Sequence, residues 1–176
     1  MKRLLTIIAA IAMLFGCNEP KDAEEITADI PGFVLSDDMT EVKIGEDGSL
    51  LVLRNKVTGH NYASGAGLWR MFYNTLEEKE MQIDGTENTP AVSQEGDVIT
   101  IAYKDLVHRG KTLQMDLTLT VELEDGAVRF GSTVVNNEPH TIIRELQYPL
   151  VGGMNLPEGH KLLTTHTGGQ LHDDAI

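Results

Sequence analysis

The chain has a single cysteine, Cys17. No intrachain disulfide is therefore possible, and the fold must be held by its apolar core. Aromatic residues are scarce, 5% of the chain with one tryptophan, which limits any aromatic binding surface to a few positions. Positive charge is short as well: 14 Lys and Arg stand against 27 Asp and Glu. A surface of that balance repels phosphate backbones and anionic lipid heads, which argues against nucleic acid as a partner. The apolar run Leu4 to Phe15 falls well short of the roughly 20 residues that span a bilayer. No Gly-x-Ser-x-Gly elbow occurs, so a Ser-His-Asp hydrolase is unsupported. Gly152-Gly153 and Gly168-Gly169 lack the strand-to-helix setting and the flanking lysine or serine of a phosphate loop, and read as turns.

What is present begins with export. Lys2 and Arg3 supply a positive start and Leu4 to Phe15 a short apolar stretch, the layout of a signal peptide over residues 1–16. The stretch closes on Leu14-Phe15-Gly16-Cys17, which resembles the bacterial lipobox. The resemblance implies cleavage before Cys17 and lipid attachment to it, which would account for an unpaired thiol in an exported protein. An ordinary secretory peptide that happens to end near a cysteine, or a buried apolar helix, is the competing reading. Loss of residues 1–16 removes two cations and no acid, making the formal net charge of −13 two units more negative. With no polybasic patch, attachment to a membrane would rest on acyl chains alone.

Residues 17–36 are expected to form the lipidated cysteine and a flexible acidic tether. Asn18-Glu19-Pro20-Lys21-Asp22-Ala23-Glu24-Glu25 has the composition of a solvated spacer. It is similar to the acidic export signals that follow the lipid cysteine in Bacteroidetes-type lipoproteins. Asn18 also replaces the aspartate that commonly retains lipoproteins in an inner membrane. The resemblance thus implies an outer-membrane lipid anchor, with the cell surface as the face an export signal would select.

Residues 37–176 are enough for one domain, since chains of ~150 residues bury roughly 70% of their unfolded surface. The clearest periodicity lies at Leu113, Met115, Leu117, Leu119, Val121 and Leu123, which alternate with Thr112, Gln114, Asp116, Thr118, Thr120 and Glu122. Period two over this length predicts a long strand with one wet and one buried face. Glu124-Asp125-Gly126 breaks the run and Ala127 to Val135 resumes it, the pattern of a β-hairpin. The same grammar recurs around Gly45-Glu46-Asp47-Gly48 and around Glu95-Gly96-Asp97. Asn136-Asn137-Glu138-Pro139 then precedes a strand within Thr141 to Leu150, with Ile143 and Leu146 facing inward. Met71 to Lys79 is read as loop or short helix, its start lacking a convincing cap. The fold class expected is all-β, an antiparallel β-sandwich.

Leu51 to Tyr62 contains Asn55-Lys56-Val57-Thr58-Gly59 and is followed by Gly67-Leu68-Trp69-Arg70. These stretches resemble the opening of the β-sandwich domain at the N-terminus of large bacterial glycoside-hydrolase-like proteins. There a strand ends in an Asn-x-x-Thr-Gly phrase and a Leu-Trp-Arg segment follows. Val134 to Asn137 and Ile143 to Gly152 fit the same domain, and the resemblance runs from about Asp38 to Asp174. It implies a galactose-mutarotase-like supersandwich. In that family the catalytic acids lie on a barrel beyond the sandwich, and this sequence stops where such a barrel would start. No catalytic residue and no cofactor is carried over. The role implied is that of a non-catalytic N-terminal portion, either a truncated product or a stand-alone relic, in carbohydrate handling. A stand-alone glycan-binding lipoprotein and a structural envelope domain without a sugar ligand are the alternatives.

Candidate sites follow from chemistry. Tyr62, Trp69, Phe72 and Tyr73 would give an aromatic platform for the C–H faces of polysaccharide or oligosaccharide rings, with Arg70 and Asn74 supplying polar contacts to hydroxyls. The competing reading makes Trp69 a core anchor. His160, His166 and His172 with Asp173 and Asp174 supply metal-type donors, but their six-residue spacing fits no zinc signature, and a solvated loop is preferred with no metal expected. Glu145 beside Arg144 suits a general acid or a surface ion pair, the latter being commoner.

Overall fold

The computed structural model describes residues 30–63, 65 and 67–151, and the backbone of strands within 161–164 and 170–173. Strands β1 (Gly32–Ser36), β2 (Thr40–Gly45), β3 (Leu50–Asn55) and β4 (His60–Asn61) pair antiparallel in chain order. They are followed by β5 (Arg70–Asn74) and β6 (Met81–Asp84), then β7 (Ala91–Glu95) and β8 (Val98–Tyr103). A two-residue ribbon, β9 (Val107–His108) with β10 (Lys111–Thr112), leads into the long hairpin of β11 (Met115–Glu124) and β12 (Ala127–Asn136). β13 (Ile142–Gln147) joins β5, and β14 (Lys161–Thr164) pairs with β15 (Gln170–Asp173). The main sheets run β1-β2-β3-β4, β12-β11-β8-β7 and β13-β5-β6.

Alternation decides which face is buried. Met115, Leu117, Leu119 and Val121 of β11 are completely buried, and Ile99, Ile101 and Tyr103 of β8 lie beside them on the same face. From the other sheets come Leu35, Val42, Ile44, Met71, Tyr73 and Ile83, so the inner faces of three sheets share one apolar core. Ile143 and Leu146 of β13 pack against it, as the sequence predicted. The architecture is an all-β, antiparallel sandwich.

The predicted turns sit where expected. Glu124 pairs with Ala127 across a two-residue turn in which Asp125 and Gly126 both have positive φ, 51° and 77°. That turn matches the twist of the flanking strands, and Asp-Gly is well suited to it. Asn55, at the end of β3, accepts the backbone N–H groups of Val57 and Thr58 through Oδ1, which explains why an asparagine stands there.

Two expectations are corrected. Residues 32–36, assigned to the tether, form β1 and pair with β2 in register from Gly32↔Gly45 to Ser36↔Glu41. The folded domain thus begins before residue 37. Residues 71–74, read as loop or helix, belong to β5, paired on one side with β6 and on the other with β13. A tight turn follows, with the Thr75 N–H bonded to the Glu78 carbonyl.

Candidate functional site

β5 places its side chains by period two. Met71 and Tyr73 enter the core, while Arg70, Phe72 and Asn74 remain partly exposed on the other side. The aromatic platform expected from the sequence is therefore not assembled. Trp69 is 1% exposed and Tyr73 2%, and Tyr62 stacks edge-on against His60 with ring centroids 4.5 Å apart. The reason is geometric: adjacent residues share a surface on neither face of a strand, so Phe72 and Tyr73 cannot act together. Asn74 also has a structural role, accepting the Glu80 N–H at 2.8 Å.

Trp69 and Arg70 do meet at one place. They line a cleft of about 440 Å³ together with Gly67, Asp84, Gly85 and Thr86. Leu150 and Val151 form its apolar side, drawn close by the Leu150 N–H bonding the Leu68 carbonyl at 2.7 Å. A second recess of about 150 Å³ shares Gly67, Gly85 and Thr86 and reaches Asp47, Ser49 and Tyr103. Tyr62 and Tyr73 line neither.

The cleft's polar wall is a connected set. Arg70 Nε donates to Asp84 Oδ1 at 2.6 Å, and Gln82 Nε2 donates to Asp84 Oδ2 at 2.7 Å. The backbone N–H of Asp84 donates to Glu87 Oε1 at 3.1 Å, which fixes the start of the single helical turn Gly85–Glu87. Partial burial pushes the Asp84 carboxyl upward, but the hydrogen bonds from Arg70 and Gln82 and the charge of Arg70 outweigh it and hold the group below the ordinary range. Asp84 is thus an ionised acceptor at neutral pH.

Beneath this wall Trp69 packs edge-to-face on Tyr103, ring centroids 5.1 Å apart. Its buried Nε1 makes no hydrogen bond among the described residues. Burial is the main influence on the Tyr103 phenol and pushes it up. Gly85 lies directly against the indole, and a Cβ there would stand 2.9 Å from Trp69 Nε1. Sequence reasoning missed Gln82, Asp84, Gly85 and Thr86. The available signal was Asp84 followed three residues later by Glu87, the spacing of a capped helical turn.

Glu145, considered as an acid, is exposed on β13 and accepts from Gln147 Nε2 at 2.7 Å. Among the described residues no group of three or more His, Cys, Asp or Glu is placed to hold a metal ion. His160, His166 and Asp174, and the side chains of His172 and Asp173, lie outside the described residues, as do Cys17 and the signal stretch. No helix among the described residues is long and apolar enough to cross a membrane.

Fold and site together define an antiparallel β-sandwich with a cleft walled by an arginine–carboxylate pair. Comparison with models of known families, with curated proteins and with solved structures finds no match.

Proposed function

We propose that this protein is a lipid-anchored outer-membrane lipoprotein whose β-sandwich is the non-catalytic N-terminal portion of a glycoside-hydrolase-like protein, and that it contributes to carbohydrate handling. The observation that supports a sugar-related role is the cleft at Arg70. It is within the size range of small-ligand sites, about 300–1,000 Å³, and combines apolar side chains with a few convergent polar groups. The lipid anchor is supported by the ending Leu14-Phe15-Gly16-Cys17.

The burial of Trp69 and Tyr73 favours a second reading, a structural envelope domain without a sugar ligand. A glycan array followed by calorimetry on the full chain in detergent separates the two. Saturable binding accompanied by a change in Trp69 fluorescence is expected, since Trp69 is among the residues lining the cleft. A folded protein that binds no glycan supports the structural reading instead.

A further inference from the structure

The terminal amines of Arg70 are the part of the cleft still unassigned. With Nε tied to Asp84, the plane of the guanidinium is set, and Nη1 and Nη2 make no hydrogen bond to a described residue. The side chain is 39% exposed, so these donors are reachable. Asp84 is differently placed: each of its two oxygens already accepts from a protein donor, Oδ1 from Arg70 and Oδ2 from Gln82. Among the described lining residues Arg70 is the one cation and Asp84 the one carboxylate. The wall therefore offers a ligand the terminal N–H donors of Arg70, fixed in one plane by the bond from Nε to Asp84.

That planar pair of donors selects among sugars. A neutral sugar presents hydroxyls, each of which both donates and accepts, whereas a uronic acid presents a planar carboxylate that only accepts. A guanidinium edge with two amines matches two carboxylate oxygens in one plane, and charge makes those hydrogen bonds roughly twice as strong as neutral ones. Resting on the carbohydrate reading above, we infer that Arg70 is a specificity-determining residue for acidic sugars. Nη1 and Nη2 take the carboxylate of a uronic-acid residue, while Asp84 and Gln82 are positioning residues that hold the fork.

Calorimetric titration of the full chain in detergent with uronic-acid oligosaccharides, and with the methyl esters of the same oligosaccharides, tests this. The two ligand sets share shape and hydroxyls and differ in charge. The acids are expected to bind about ten-fold more tightly than the esters or better. Arg70→Gln should erase the advantage, weakening binding of the acids more than that of the esters. Arg70→Lys should keep part of it, retaining charge without the fork, and Asp84→Asn, which keeps an acceptor for Nε and removes the adjacent negative charge, should raise the acid-to-ester ratio. Equal binding of acid and ester, or an Arg70→Gln change that affects both alike, overturns the inference and leaves the carbohydrate reading standing. Absence of binding by either ligand set, and by neutral glycans, overturns both. Should Arg70→Gln fail to fold, the acid-to-ester ratio of the unmodified protein decides, a ratio near one being the adverse result.

Discussion

Asp37 accepts a hydrogen bond at 2.8 Å through Oδ2 from the backbone N–H of Gly126, a residue 89 positions away. Its Oδ1 takes the N–H groups of Met39 and Thr40, each at 2.8 Å, and Thr40 Oγ1 donates to the Gly126 carbonyl at 2.8 Å. One side chain thus pins the β1–β2 turn to the β11–β12 turn, joining two sheets at one corner. The N–H groups of Met39 and Thr40, with a further one from Gly126, hold the Asp37 carboxyl below its ordinary 3.8 despite partial burial. Because the folded-state value is lowered, its stabilisation is present above 3.8 and is lost as pH falls through the folded value. Asp37→Asn should unfold at lower temperature than the native chain at pH 7, with the gap narrowing in acid. Thermal unfolding across pH checks this, and a gap independent of pH would assign the effect to shape rather than charge.

Alkali should act through buried phenols. Burial pushes Tyr73, Tyr103 and Tyr148 above the ordinary 10.0, Tyr148 furthest. Here the folded state favours the neutral form, so stability is complete below 10.0 and declines as pH rises beyond it. Tyr148 also donates to the Thr120 carbonyl at 2.8 Å, so Tyr148→Phe should cost about 1 kcal/mol at neutral pH and soften the alkaline loss. Urea unfolding at neutral and alkaline pH, read with tyrosinate absorbance, measures both.

Gly85→Ala should destabilise by about 1–3 kcal/mol, the usual cost of overpacking. The new Cβ would lie 2.9 Å from Trp69 Nε1 and 3.2 Å from the Trp69 carbonyl oxygen, both tighter than ordinary van der Waals contact. An altered Trp69 emission spectrum should accompany the loss, and an unchanged spectrum at unchanged stability would mean that the contact is easily relieved.

The two faces of β11 should respond differently. Leu119 is fully buried, and Leu119→Ala should cost about 2–5 kcal/mol in urea unfolding. Its neighbour Thr118 lies on the other face, and Thr118→Ala should stay within about 0.5 kcal/mol.

Cys17→Ser should abolish lipid labelling and leave an unprocessed or soluble protein in fractionated cells. Normal acylation of that variant would refute the lipobox reading.

Much of the sandwich was legible before the structure. The β11–β12 hairpin was plain because Leu117, Leu119 and Val121 alternate with polar residues over a long stretch and Asp125-Gly126 supplies the turn. β5 was obscured because Arg70-Met71-Phe72-Tyr73-Asn74 mixes aromatic and polar side chains on its outer face, so alternation is not visible as apolar against polar. β1 was hidden by its nearness to an acidic spacer, and its short sequence shows strand character only once β2 is alongside.

The sequence alone determined the class of the fold, its turns and the absence of disulfide support, because these depend on local periodicity and composition. Tertiary structure decided which aromatics are covered and which polar groups converge. Strand alternation says that Tyr73 and Phe72 face opposite ways, but not which face another sheet will cover. Arg70, Gln82 and Asp84 become one network because β5 and β6 pair with Arg70 opposite Asp84. Asp37 meets Gly126 because two sheets stack at that corner. Such contacts come from how separate strands pack, and no local pattern encodes that packing.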